Sequence, residues 1–402
     1  MTRTDLGRRV PRLEGQQTVG EATATGTTSA ARGGVAVEPF PSEAAADLFT
    51  AYARRARPGL EAALTRYLDR VTASVRHLPG DVQATVDTVR VLALRGGKRL
   101  RAVLMAAAYE SCGGKGGPEA VVMAGVSLEL LQAYLLIHDD WMDADDVRRG
   151  GPSVPAMLRA HFGGRPSGAV GTADASAILA GDFAAGLSLD ALAELPLAPD
   201  RVAAAAGEMG RIQRDVVLGQ MCDLTGAASL EPPTEAAVEL THSLKTGSYT
   251  VRGPLALGAH LAGAGGAVRG ALDAFAHPLG VAFQLRDDLI GTFGDPAHTG
   301  KSSTGDLREG KRTGLVAALV ALEPGPETAV LLARGFGKAD ADPADVEALV
   351  DRLMTSGAKH RVEQRIDALL AEAVAILNVA PLPPAARDLL RGAACALGHR
   401  ET

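Results

Sequence analysis

From about Ala44 onward, apolar residues recur at spacings of three and four, the repeat of one face of an α-helix. The stretches 44–76, 81–95, 99–112, 119–144 and 201–226 show this repeat, and so do 235–262, 266–290, 313–322, 343–377 and 384–397. Breaks divide them: GGKGGP at 113–118, the Gly/Pro/Ser stretch at 163–172, SLEPP at 229–233 and PLPP at 381–384. Few runs combine β-branched or aromatic residues with period-two alternation. The pattern predicts an all-α protein, a single bundle of about ten helices over residues 44–402. Residues 1–40 are rich in Gly, Thr, Ala and Arg without apolar periodicity, which predicts a disordered tail. Asp5, Glu14 and Glu21 weigh against reading that tail as a targeting peptide.

Composition narrows this reading only slightly. The 402 residues are 47% hydrophobic and 22% charged, a globular balance with enough chain for a large core. A formal net charge of -6 gives no support to nucleic-acid binding. The three cysteines, Cys112, Cys222 and Cys395, lie far apart without metal-ligand spacing, as expected of free thiols in a reducing compartment. No charged segment leads into an apolar signal-like run, and no uninterrupted apolar run reaches the ~18–20 residues of a membrane span. The cytoplasm is the expected location.

No repeat of 20–50 residues is present, but a cruder echo is. Two aspartate pairs each close an apolar helix, and each precedes a basic, glycine-containing loop. In LLIHDDWMDADDVRRGG, an apolar run from Leu128 to Ile137 leads into Asp139, Asp140 and Asp143. At 3.6 residues per turn, Asp139 and Asp143 stack one above the other, and their charges repel unless a cation intervenes. Hard oxygen ligands so spaced suit Mg²⁺, which also takes phosphate oxygens. In the second segment, FQLRDDLIGTFGDPAHTGKSSTGDLREGKRTG, Asp287 and Asp288 follow an apolar helix, and Lys301, Lys311 and Arg312 lie downstream among glycines. That loop lacks the spacing of a nucleotide-binding P-loop. Near the start, LRGGKRLRAVL places Lys98, Arg99 and Arg101 at a helix start, where cations and free N–H groups favour phosphate. Taken singly, each segment also reads as a solvated turn or helix end. Together, two carboxylate clusters and several cationic spots suit a phosphate-rich ligand bridged by metal ions.

The ordered series GGKRLR, HDDWMD with RRGG, GQMCDL, KTGSY, FQLRDDL, and GK with DLREGKRT resembles the isoprenyl diphosphate synthase family, from about residue 60 to the C-terminal end. The resemblance implies an antiparallel helical bundle around a deep central cavity, usually as a homodimer. It implies three Mg²⁺ on an allylic diphosphate, held by Asp139, Asp143 and Asp287, with Asp140, Asp288 and Asp306 in support. Arg148, Lys245, Lys301 and Lys311 would meet phosphate on that side. Gly97, Lys98, Arg101 and Arg149 would hold isopentenyl diphosphate. Thr246 and Gln284 would stand near the developing carbocation. Two positions depart from the family pattern: Gln132 replaces the usual His that binds isopentenyl diphosphate, and Gly291 stands where the second motif usually ends in Asp.

In such proteins the residues four and five before the first aspartate, here Leu135 and Tyr134, often form the cavity floor that sets product length. A short first motif with an aromatic floor is similar to geranylgeranyl diphosphate (C20) synthases, with farnesyl (C15) synthesis as the alternative. A class I terpene cyclase would need an Asn/Ser/Glu metal motif and an aromatic lining, but the chain has one Asn, Asn378, and 3% aromatic residues. A non-catalytic partner subunit would usually lack the aspartates that this chain retains.

Overall fold

Residues 43–115, 117–163, 165, 171–229, 231–294 and 304–400 are described by the computed structural model. The tail expected at 1–40 and Lys301 lie outside the described residues. The first half of the chain forms α1 (Glu43–Ser74), α2 (Gly80–Leu94), α3 (Leu100–Ser111), α4 (Gly117–Met142), α5 (Val154–Phe162), α6 (Thr172–Ala193) and α7 (Pro199–Ala227). Next come α8 (Glu235–His242), a π-helix (Ser243–Arg252), α9 (Gly253–Ala262) and α10 (Gly266–Phe293). The series ends with α11 (Gly305–Glu309), α12 (Gly314–Leu322), α13 (Pro326–Gly335), α14 (Pro343–Thr355), α15 (Ala358–Val379) and α16 (Pro384–Gly398). Among the described residues the only strands are β1 (Val147–Arg148) and β2 (Gly151–Pro152), paired as an antiparallel hairpin.

Local chemistry sets many of the helix starts. The side chains of Ser153, Thr234, Thr313 and Asp342 each accept a hydrogen bond from a backbone N–H of the first turn, capping α5, α8, α12 and α14. Pro199, Pro326 and Pro384 stand in first turns, where a missing N–H costs nothing.

The core falls into two clusters. One is built on α4 and α6 with parts of α1, α2 and α7. The other is built on α10, α12, α15 and α16. Helices α3 and α9 pack on each other and contribute to both. The all-α expectation therefore holds, while several boundaries differ. The stretch 235–262 is not one helix but α8, a π-helix and α9 in series. The stretch 343–377 breaks at Ser356 and Gly357, the latter at φ 87, a conformation glycine takes readily. Helix α6 was not anticipated. Its apolar residues surround the whole helix, so no face stands out as periodic.

By length and composition α4 and α6 could each cross a membrane. They instead pack on each other within the bundle, with α4 largely buried.

Candidate active site

Helix α4 delivers its acidic residues at its C-terminal end. The chain leaves the helix through Ala144 at φ 56, and the Asp145 N–H closes on the Asp140 carbonyl at 2.9 Å. Asp139, Asp140 and Asp143 thus occupy the last turns, where the helix dipole is already negative and cations are favoured. Burial, and then the charge of Asp139, push the Asp143 carboxyl up to about 6. Burial also pushes Asp140 up to about 6, against the pull of Arg148, whose Nε donates to it at 2.6 Å. Asp140 is fully buried, and its Oδ2 has no hydrogen-bond partner.

The hairpin after α4 sends two adjacent arginines opposite ways. Its turn residues Arg149 (φ 52) and Gly150 (φ 71) both take positive φ, the conformation of a two-residue hairpin loop. Arg148 turns back to Asp140 and to Asp145 (2.9 Å), and its Nη2 lies 4.0 Å from Asp139. Arg149 turns to the other side, where it donates to the Arg95 carbonyl and lies against Gly97. Arg95, which drew no attention in the sequence, holds the hairpin by donating to the carbonyls of Arg148 and Pro152, each at 2.8 Å.

Lysines join the first acidic cluster to the rest of the bundle. Lys245, on the π-helix, lies 3.5 Å from Asp139 and 2.6 Å from Asp223 of α7. Despite its burial, Asp139 and Asp223 hold Lys245 above its ordinary pKa. Gln220, one turn before Asp223, donates to Asp139 at 3.4 Å. Lys311 lies 3.7 Å from Asp143, 3.5 Å from Asp306 and 2.6 Å from Glu309. That one ammonium group ties the end of α4 to the segment after α10. A Cβ placed on Gly291 would stand 2.8 Å from Asp306 Oδ2. The Asp306 carboxylate therefore lies beside the position where the second motif lacks its last aspartate.

A third group is cationic. Lys98 and Arg101 stand at the start of α3, and Arg400 reaches them from beyond α16. Arg400 pairs with Asp287 and lies 4.0 Å over the Phe283 ring, one turn earlier on α10. Burial, and then the charges of Arg101 and Arg286, bring Arg400 down to about 10. Burial, and then Arg400 and Arg57, also lower Lys98. The Nε atoms of Arg57, Arg101 and Arg400 are buried without a partner. Mutually repelling cations with unused donors are poised for an anion with several oxygens. Arg400 drew no attention in the sequence, because a lone arginine outside any motif gives no local signal.

Other predicted residues take supporting positions. Asp288 is buried; it accepts from Gln284 Nε2 (2.9 Å) and the Gly314 N–H (3.1 Å), with His242 Nε2 3.4 Å away. Its oxygens are directed into the protein, where they bind α10 to α8 and α12, and Gln284 is engaged with it. Asp140 is likewise turned to Arg148. Arg99 adopts φ 50 and is buried against Glu129 (2.8 Å), so it shapes the turn between Lys98 and Arg101. Arg312 donates to the carbonyls of Ser229 and Glu231 and so fixes the loop after α7. Thr246 and Gln132 are half-buried on the π-helix and α4. Leu135 lies one turn beneath Asp139. Tyr134 is buried one position round the helix, its ring edge-on to His138 at 4.9 Å.

Among the described residues no three acidic or imidazole groups converge at metal-ligating distance; Lys245, Lys311 and Arg400 stand between the carboxylates. The donor chemistry nevertheless fits a divalent cation. Asp139 and Asp143 repel each other at a helix C-terminus, and a shared metal would relieve both the repulsion and the desolvation.

This is a helical bundle that brings two acidic helix ends and a cationic cluster together. A family model described as polyprenyl synthetase matches residues 83–353, and the chain belongs to that family. It is 33% identical over 352 residues to the geranylgeranyl diphosphate synthase of Mycobacterium tuberculosis, covering 86% of this chain and 93% of that one. It is 34% identical over 219 residues to the (2E,6E)-farnesyl diphosphate synthase of the same organism, covering 54% of this chain. The chain spans only 55% of the length of this and the other mycobacterial farnesyl relatives it matches. The geranylgeranyl pyrophosphate synthase of Corynebacterium glutamicum, solved with isoprenyl diphosphate and magnesium, superposes with a TM-score of 0.79 at 33% identity, covering 85% of this chain and 97% of that one.

Proposed function

We propose that this chain is a trans-prenyltransferase that condenses isopentenyl diphosphate with allylic diphosphates in a magnesium-dependent reaction, with geranylgeranyl diphosphate (C20) as its product. The observation that carries the reading is Lys311, which brings Asp143 of the first acidic motif and Asp306 of the second segment within 4 Å of one ammonium group. Carboxylates facing one another from two helix ends can share the charge of a metal-bound diphosphate.

Asp139, Asp143 and Asp287 would hold magnesium, which when bound would supply electrostatic stabilisation of the allylic diphosphate as a leaving group. Lys245 and Lys311 would pass from carboxylates to phosphate oxygens as that ligand arrives. Arg148 would keep Asp140 and Asp139 oriented. Lys98, Arg101 and Arg149 would hold isopentenyl diphosphate, with Gly97 letting its phosphate approach closely. Arg400 lies between the two halves and would also move from Asp287 to phosphate. Holding both substrates in line supplies much of the acceleration. The departing diphosphate can take the final proton, so no side-chain base is required. Tyr134 and Leu135 would limit the growing chain. Relatives named for C15 and for C20 products both resemble this chain, which keeps farnesyl diphosphate as the second reading.

A homodimer fits α6, whose apolar outer face exposes Leu179 (64%) and Leu189 (47%). The test is chromatography of products made from dimethylallyl and labelled isopentenyl diphosphate by the purified chain with Mg²⁺. A C20 alcohol after dephosphorylation supports the reading, and a C15 product moves it to the second. Turnover that appears only with an added second chain would mark a non-catalytic subunit.

A further inference from the structure

The π-helix Ser243–Arg252 touches both halves of the site. Near its start it carries Lys245, close to Asp139 and Asp223. Further on, Thr250 is fully buried, and its Oγ1 accepts a hydrogen bond from Arg101 Nη2 at 2.8 Å. The guanidinium carbon of Arg101 also lies 4.2 Å from the centroid of the Tyr249 ring. Helical geometry explains why one element does all of this. With i→i+5 bonding a turn takes between four and five residues, so Tyr249 and Thr250 both return to the side that carries Lys245. In an α-helix the residue five positions on would point ~140° away. The π form is held by close backbone contacts. A Cβ on Gly219 of α7 would lie 2.1 Å from Lys245 N, and one on Gly280 of α10 would lie 2.8 Å from Gly247 Cα.

We propose that Tyr249 and Thr250 are positioning residues that set the affinity for isopentenyl diphosphate by holding the Arg101 guanidinium in place. The proposal rests on the assignment of Arg101 to that substrate made above. Arg101 is a long side chain with five donors. Thr250 takes one of them and Tyr249 covers one face, while the buried Nε is without a partner. A guanidinium fixed on one edge and one face keeps its other donors in a single orientation, so less freedom is lost when phosphate binds.

The test is steady-state kinetics of the full chain with Mg²⁺, varying each substrate in turn, with Tm measured alongside. Thr250→Val and Tyr249→Leu should each raise KM for isopentenyl diphosphate roughly tenfold, as expected for loss of one contact to a charged group. KM for the allylic diphosphate and Tm should move little. Thr250→Ser keeps the acceptor and Tyr249→Phe keeps the ring, so both should retain a KM near that of the wild type. In an Arg101→Lys background, Thr250→Val should add no further rise. An unchanged KM for isopentenyl diphosphate in both Thr250→Val and Tyr249→Leu would overturn the proposal. So would both KM values rising in step with a fall in Tm, the mark of simple packing. If the wild-type chain condenses neither substrate, the parent assignment fails and takes this proposal with it, an outcome visible before any variant is compared.

Discussion

Gly219→Ala tests whether the position of Lys245 governs turnover. A methyl group at 219 would meet Lys245 N at 2.1 Å, Lys245 Cα at 2.5 Å and the Leu244 carbonyl carbon at 2.6 Å. All three are backbone atoms, so no side chain can swing aside. Ordinary contact begins near 3.4 Å, so α7 and the π-helix must part by roughly 1.3 Å at this point. Lys245 now reaches Asp223 at 2.6 Å and Asp139 at 3.5 Å, and a shift of that size breaks the first contact. A misplacement of about 1 Å can cost ~100-fold in rate, so kcat should fall by about two orders of magnitude. Overpacking costs about 1–3 kcal/mol, which for a folded domain of this size lowers Tm by about 1–4 °C without unfolding the protein. Gly207→Ala is the control: it lies on the same helix with nothing within 4 Å of its would-be methyl, and it should leave kcat unchanged and Tm equal or slightly higher. The assay is diphosphate release at saturating substrates, with circular dichroism for Tm. A Gly219→Ala enzyme with the kcat and Tm of Gly207→Ala would refute the reasoning.

Three further outcomes are expected. Tyr134→Ala should shift products beyond C20 on chromatography, and an unchanged distribution would remove Tyr134 from the floor. Because Asp143 is raised to about 6, the folded protein binds more protons than the unfolded chain between about pH 4 and 6. Stability measured in a chelator should therefore fall as pH rises through that window and then level off. Mg²⁺ affinity by calorimetry should rise over the same window, and Asp143→Asn should weaken both trends, leaving the part of the stability slope that comes from Asp140, also raised to about 6. Lys311→Met should lower Tm in a chelator, because Asp143, Asp306 and Glu309 lose their shared cation. Added Mg²⁺ should restore more of that loss than it adds to the wild type, and equal metal-induced shifts in both proteins would count against a shared acidic site.

The helical class was legible in the sequence because amphipathic periodicity is a local property. The aspartates that close α4 and α10, and the Lys98–Arg101 turn, were also legible, since each is a short motif next to an apolar helix. Helix α6 was not, because a helix that is apolar all round has no face to detect. The π-helix was not legible either. Its sequence continues the pattern of the helices on both sides, and its wider turn depends on Gly219 and Gly280 admitting neighbouring backbones.

The sequence by itself determined which residues carry charge and which local elements display them. Tertiary structure alone decided which of those charges meet. It set Lys311 between Asp143 and Asp306, Arg400 on Asp287, and Asp306 beside Gly291. It also turned Asp288 inward, although sequence places it next to Asp287 on the same helix. Electrostatic pairing depends on separation in space, and contacts between residues far apart in the chain follow from how the helices pack, which no local pattern records.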